Sequence, residues 1–171
     1  MICPTCLHDN VPGVDECDKC GQNLTQLDQP APRDRIERGL MEDKVRTLRP
    51  RAPITVRPTA TIQEAMRAML EHDFGAVLIV DKDGKLLGII SERDLLKKVV
   101  GLHEGYAELP VGQFMTPKPE SISGDDTIAF ALHKMDIGSY RHLPVSEDGT
   151  PTGLVSVRDL LRYITMQCRD N

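Results

Sequence analysis

Hydrophobic and polar positions in this chain follow one order twice. A short apolar-centred stretch ("ITV" near Thr55, "SIS" near Ile122) precedes an amphipathic segment at helical spacing, Ile62–Leu70 or Ile128–Met135. Thr61 and Thr127 stand where such helices open. A run with buried-strand character follows, "AVLIV" or "RHLPV", and then an Asp-Gly pair of hairpin type. A second strand, "LLGIIS" or "TGLVS", leads into a closing helix at "ERDLL" or "VRDLL". The pattern predicts β-α-β-β-α, repeated. Ahead of both copies, Ile36, Leu40, Met41 and Val45 in "RIERGLMEDKV" predict a short amphipathic helix that packs on the domain after it.

The repetition is literal in places. "GIISERDLL" (Gly88–Leu96) returns as "GLVSVRDLL" (Gly153–Leu161), 65 residues later. "PITVRPTATIQEAMRAML" matches "PESISGDDTIAFALHKMD" at an offset of 66. With "EHDFGAVLIV" set against "IGSYRHLPV", one residue shorter, the offset changes from 66 to 65 within this stretch. One such half is too small to bury both faces of its sheet, whereas two halves packed together make a plausible core. The expected organisation is a metal-binding unit at 1–24, a linker with a lead-in helix at 25–48, repeats at 49–105 and 106–167, and a tail at 168–171. Residues 23–34, across the start of that linker, are polar with two prolines.

Two readings fit the repeated Ser-x-x-Asp. Ser91 with Asp94, and Ser156 with Asp159, have the spacing of a helix capping box, worth about 0.5–2 kcal/mol. The same strand-to-helix turn also suits a nucleotide, since free N–H groups and a positive dipole end favour phosphate. Two β-α-β-β-α copies that each close on G-h-h-S-x-x-D resemble a tandem pair of cystathionine-β-synthase (CBS) domains, a Bateman module. The resemblance covers about residues 45–167 and implies an α/β (α+β) fold with two adenine-nucleotide sites in the cleft between repeats. It implies that Asp94 and Asp159 hold ribose and that Ser91 and Ser156 lie near phosphate. Backbone near Thr55-Val56 and Ser121-Ile122 would read the base. Bateman modules commonly form homodimers through their helices, so the resemblance also implies a homodimer. The second repeat adds Tyr140 as a stacking surface and Arg141 and His142 as phosphate partners, which favours the site carrying Asp159. Arg93 and Arg158 are shared by both copies and also suit a solvated helix face.

Four of the five cysteines lie in the first twenty residues, as Cys3-x-x-Cys6 and Cys17-x-x-Cys20. Two such turns bring four thiolates onto one tetrahedral ion, and Gly21 permits the left-handed backbone that such a knuckle tends to need. A unit this small draws its folding free energy from the metal. The stretch resembles short zinc ribbons. Iron binds the same thiolates, but rubredoxin-like sites usually carry Gly after both pairs and here Leu7 follows Cys6.

Composition narrows the function. The 171 residues are 40% hydrophobic and 27% charged, with net charge −5. Residues 1–30 hold five acids against one lysine, and residues 31–52 seven bases interleaved with four acids. That is a poor footprint for gripping nucleic acid through phosphates. The longest apolar run, "AVLIV", is far too short to span a bilayer, and "MICPTC" lacks the features of a secretory signal, so the cytoplasm is expected. No nucleophile, base or carboxylate pair stands at a recognisable catalytic spacing, and Cys168 lies near the end in a polar context. Three classes remain. The first is a non-enzymatic adenine-nucleotide sensor whose zinc ribbon docks a protein partner. The others are an iron redox protein and a nucleic-acid regulator acting through the ribbon and the arginine-rich connector.

Overall fold

The computed structural model describes residues 1–11, 13–25, 32 and 34–169, apart from the Arg169 side chain. Much of the linker expected at 23–34, and the last two residues of the chain, lie outside these. The chain divides into two units, Met1–Arg33 and Asp34–Asn171.

The first unit is two knuckles with hardly any core. Leu7 N–H donates to the Cys3 carbonyl at 2.9 Å, and Gly21 N–H to the Cys17 carbonyl at 2.8 Å. Both residues sit in the left-handed region, Leu7 at φ 59° and Gly21 at φ 70°. Gly21 takes this backbone without a Cβ penalty, and Leu7 takes it despite one. Buried Asn10 ties the knuckles together: its amide donates to the His8 carbonyl, and its Oδ1 accepts from Asp18 N–H. Leu24 is fully buried with Cys3 and Cys17.

The larger unit begins with helix α1 (Arg35–Glu42), capped by the Asp34 side chain. The first repeat then runs β1 (Thr55–Val56), α2 (Ile62–His72), β2 (Ala76–Val80), β3 (Leu86–Ser91) and α3 (Glu92–Asp94). Instead of a regular closing helix, α3 passes into one π turn, Leu95–Val99, in which Val100 N–H reaches the Leu95 carbonyl. After β4 (Thr116–Pro117) the second repeat gives α4 (Ile128–Gly138), β5 (His142–Glu147), β6 (Thr150–Ser156) and α5 (Val157–Arg169). The expected "SIS" strand shrinks to a single bridge, Ile122 to Val145. Cys168, expected in a tail, lies exposed in α5.

Strand β2 shows how period-2 alternation builds two layers. Its residues are all buried, yet Val77 and Ile79 enter the core of the first repeat under α2, whereas Ala76 and Leu78 meet Leu154 of the second repeat. The gap between the copies lies elsewhere than the sequence alignment put it. Asp73 and Ser139 are left-handed caps of α2 and α4, at φ 50° and 52°. Phe74 and Tyr140 N–H then donate to Met69 and Met135 carbonyls, 2.9 and 3.0 Å away. Phe74 is thus the counterpart of Tyr140, and Gly75 of Arg141. The missing residue is in the hairpin, where the second copy has a two-residue turn with Asp148 and Gly149 both at positive φ.

Each repeat is completed by chain that precedes the other. Val45, at the head of the unit, is fully buried in the core of the second repeat, while Val111 is fully buried in that of the first. Burial on this scale is worth roughly 1.5–3 kcal/mol per valine. The Tyr163 hydroxyl donates to Asp43 Oδ2 at 2.6 Å and fastens the end of α1 to α5. Strand pairing follows the same exchange: β4 pairs with β3, and Arg51 bridges Leu154 in β6. These crossings explain the glycine of the repeated phrase. A Cβ on Gly88 would collide with the Met115 side chain, and one on Gly153 would stand 2.7 Å from Pro50 Cβ. A rigid proline ring has little room to yield, so Gly153→Ala is expected to lose about 1–3 kcal/mol. Thermal unfolding followed by circular dichroism should show this as a drop of about 2–4 °C per kcal/mol. An unchanged melting temperature would count against the close-approach explanation.

Candidate functional site

The first Ser-x-x-Asp turn is a capping box on a strand end, and the second makes the same serine-to-aspartate bonds. At the first, Asp94 Oδ2 accepts from Ser91 N–H at 3.0 Å and from the Ser91 hydroxyl at 2.6 Å. The second repeats this with Asp159 Oδ2, at 2.8 Å from Ser156 N and 2.7 Å from its hydroxyl. Only one carboxylate oxygen is consumed in each. The other faces a cation: Asp94 Oδ1 lies 2.7 Å from Lys98 Nζ, and Asp159 Oδ1 3.3 Å from Arg162. Burial opposes ionisation of Asp94, but Lys98 and the Ser91 donors outweigh it and hold the carboxyl below the ordinary Asp range.

The exchange of lead-in segments opens two clefts between the repeats, each lined by one of these aspartates. The first, of about 260 Å³, joins Ser91, Arg93 and Asp94 to the crossing segment Thr116–Glu120 and to Tyr140, Arg141 and His142. The second, of about 450 Å³, joins Ser156, Arg158 and Asp159 to Arg51, Phe74 and Gly75, and again to Arg141 and His142. Arg141 and His142 are therefore a wall common to both. Tyr140, assigned from sequence to the second repeat's own site, lines the Asp94 cleft.

Thr55, Val56, Ser121 and Ile122 are not among the lining residues of either cleft. Val56 packs against the first core and Ile122 is buried in the second, while the Ser121 hydroxyl bonds that of Ser146. Sequence reading missed Lys118, Phe74 and Arg51. Phe74 was readable, since it lies 66 residues before Tyr140. Lys118 and Arg51 enter only through pairing with the distant repeat.

His142 is half-buried in the common wall, and burial lowers its pKa. Arg141 and Arg158 lower it further, against Glu92 and Asp159.

The cysteine cluster brings Cys3, Cys6, Cys17 and Cys20 together with all sulfurs within 4.8 Å of one another. Two pairs, Cys3–Cys20 and Cys6–Cys17, stand 3.7 and 3.6 Å apart. Bonds of about 2.3 Å to one tetrahedral ion would set sulfurs about 3.8 Å apart, so the cluster fits a metal. Burial disfavours the Cys17 thiolate, yet the N–H groups of Lys19 and Cys20 and the neighbouring thiols lower its pKa to about 6. At Cys20 the Gln22 N–H favours the thiolate, but the crowded sulfurs, Cys6 first, and burial push it up to about 12. Four thiolates repel in this volume, and a cation at their centre lets all of them ionise.

Comparison with known proteins matches this geometry. The family model of the CBS domain fits residues 45–101 and 111–166. The chain belongs to the CBS domain family. The CBS domain-containing protein CBSCBSPB5 of Arabidopsis thaliana is 35% identical over 120 residues, which are 70% of this chain and 22% of that protein. The chain thus spans about a fifth of that relative's length. Among solved structures, the CBS-domain protein ATU1752 of Agrobacterium tumefaciens is 33% identical with TM-score 0.63, covering 69% of this chain and 94% of that one. The CBS domain pair of protein MJ0100, solved with 5-methylthioadenosine and S-adenosyl-L-methionine, is 25% identical with TM-score 0.66, covering 72% and 97%. The CBS pair here has the two halves of such a module, and its crossing segments supply the walls. Among the described residues no helix is long and apolar enough to cross a membrane.

The depressed pKa of His142 makes a pH test. Its neutral form is favoured in the fold, so its contribution is complete above the unfolded value of about 6.5 and is lost as pH falls through the lower folded value. The melting temperature should therefore fall on acidification below about pH 6.5, and less steeply in His142→Gln. Parallel curves for the two proteins would remove His142 from the effect.

Proposed function

We propose that this chain is a regulatory module that binds an adenosyl ligand between its CBS repeats and carries a zinc ribbon for a protein partner. The observation that carries the reading is the pair of clefts, each with a capped aspartate whose second oxygen is turned toward cations. A carboxylate in that position accepts hydrogen bonds from ribose hydroxyls. The surrounding Arg93, Lys118, Arg141 and Arg158 supply charge for phosphate. The adenosyl compounds bound by the MJ0100 pair support the ligand class. Exposed Phe130 and Ile137 on α4, with Leu161 and Met166 on α5, support pairing of two modules through these helices. The four thiolates support zinc, with iron as the other occupant of the same donor set.

A thermal-shift panel on zinc-loaded protein tests the ligand class with AMP, ADP, ATP with and without magnesium, S-adenosylmethionine and GTP. A ligand at 100 times its Kd adds about 2.7 kcal/mol, or about 5–11 °C here. The expected result is a shift from an adenosyl compound but not from GTP, diminished in at least one of the variants Asp94→Ala and Asp159→Ala. A flat panel would leave the repeats as a capped scaffold.

Metal analysis of the purified chain is expected to find one zinc per chain, lost in Cys17→Ser. A chelator should melt the ribbon while leaving the unfolding of the Asp34–Asn171 unit unchanged. Coloured, iron-loaded protein would turn the reading toward electron transfer.

A further inference from the structure

The two clefts are built from equivalent positions but are not equally open to a base. In the second, the Arg51 guanidinium carbon lies 4.0 Å from the centre of the Phe74 ring. The same side chain donates to the His72 carbonyl at 2.6 Å and to the Asp73 carbonyl at 3.0 Å, the end of α2. Planar guanidinium thus lies over the Phe74 ring, held by two charge-assisted hydrogen bonds and a cation–π contact. The equivalent positions in the first cleft are Pro117 and Tyr140. Proline carries no charge, and the described cation–ring pairs are Arg51 with Phe74 and Lys134 with Phe130. Tyr140 is 39% exposed.

The walls differ in the same sense. The crossing segment lines the first cleft from Thr116 to Glu120, whereas of its counterpart only Arg51 lines the second. Arg51 therefore takes the shelf that a stacked base would need. Its backbone is held as well, since its carbonyl accepts from Leu154 N–H at 3.0 Å.

Resting on the function proposed above, we infer that Arg51 is a specificity-determining residue that closes the Asp159 cleft to an adenine base. The Asp94 cleft, with Tyr140 as stacking surface and Arg93, Lys118 and Arg141 for phosphate, is then the adenosyl site. The Asp159 cleft keeps Arg141, Arg158 and Arg162 but admits a base only when Arg51 leaves Phe74.

Isothermal titration of the full zinc-loaded chain with AMP tests this. Wild type is expected to bind one AMP per chain, lost in Asp94→Ala and kept in Asp159→Ala. Arg51→Ala is expected to bind two, the second lost when Asp159→Ala is added. Should alanine at 51 unfold the protein, Arg51→Gln keeps a donor for the α2 carbonyls but gives up the cation over Phe74, and the same count applies. Two AMP per wild-type chain, a single AMP abolished by Asp159→Ala, or an unchanged count in the Arg51 variants would each overturn the inference and leave the nucleotide reading standing. AMP heats absent from wild type and all variants would overturn the inference, and together with a flat thermal-shift panel they would overturn the nucleotide reading as well.

Discussion

Everything in the larger unit depends on two close crossings, Pro50-Arg51 over Gly153 and Met115-Thr116 over Gly88. At these points one repeat's approach passes close against the other repeat's last strand, with the Pro50 ring 2.7 Å from where a Gly153 Cβ would stand and the Met115 side chain over Gly88. The crossings place Val45 and Val111 in each other's cores and bring Arg51 and Thr116–Glu120 beside the capped aspartates. Core completion and cleft formation are thus one event. A repeat that lost its crossing segment would lose a core residue and a cleft wall together.

Within this near-symmetric frame, function is carried by the substitutions that break symmetry. Gly75 and Ala76 stand where the second copy has Arg141 and His142, so the shared wall is cationic from one side only. Pro117 stands where the first copy has Arg51. Arg51, Pro117, Arg141 and His142 all line clefts, while Ala76 at the His142 position packs into the core with Leu78 and Leu154. Duplication supplied two pockets, and single residues then made them different.

Much of this was legible in the sequence, for identifiable reasons. Four cysteines at paired spacing need only local turns to converge, so the cluster followed from spacing alone. The capping boxes are equally local, joining residues three apart. The order of strands and helices was readable because it is written twice, each copy checking the other. The failures were long-range. The gap was misplaced because apolar strands align almost as well one residue out of step, which hid the match of Phe74 to Tyr140. Backbone strands near Thr55 and Ile122 were expected to wall the clefts, yet the walls come from earlier in each lead-in. Pairing of Arg51 with Leu154, more than a hundred positions away, leaves no local trace. The π turn at Leu95–Val99 likewise has no signal in the apolar spacing.

The exchange of lead-in segments also bears on how the protein is made. Lys44–Arg51 is the earliest part of the module to leave the ribosome after α1, but its partners are Thr127, the core around Leu143, and Leu154. Chain grows at about 5–20 residues per second. For several seconds, therefore, Val45 has nothing to pack against, and the first repeat waits for Val111 to close its own core. The first repeat can close once Val111 and β4 are made, whereas Val45 waits for the second repeat to be written. Such a module closes its first repeat early, and its earliest-made segment, Lys44–Arg51, docks last.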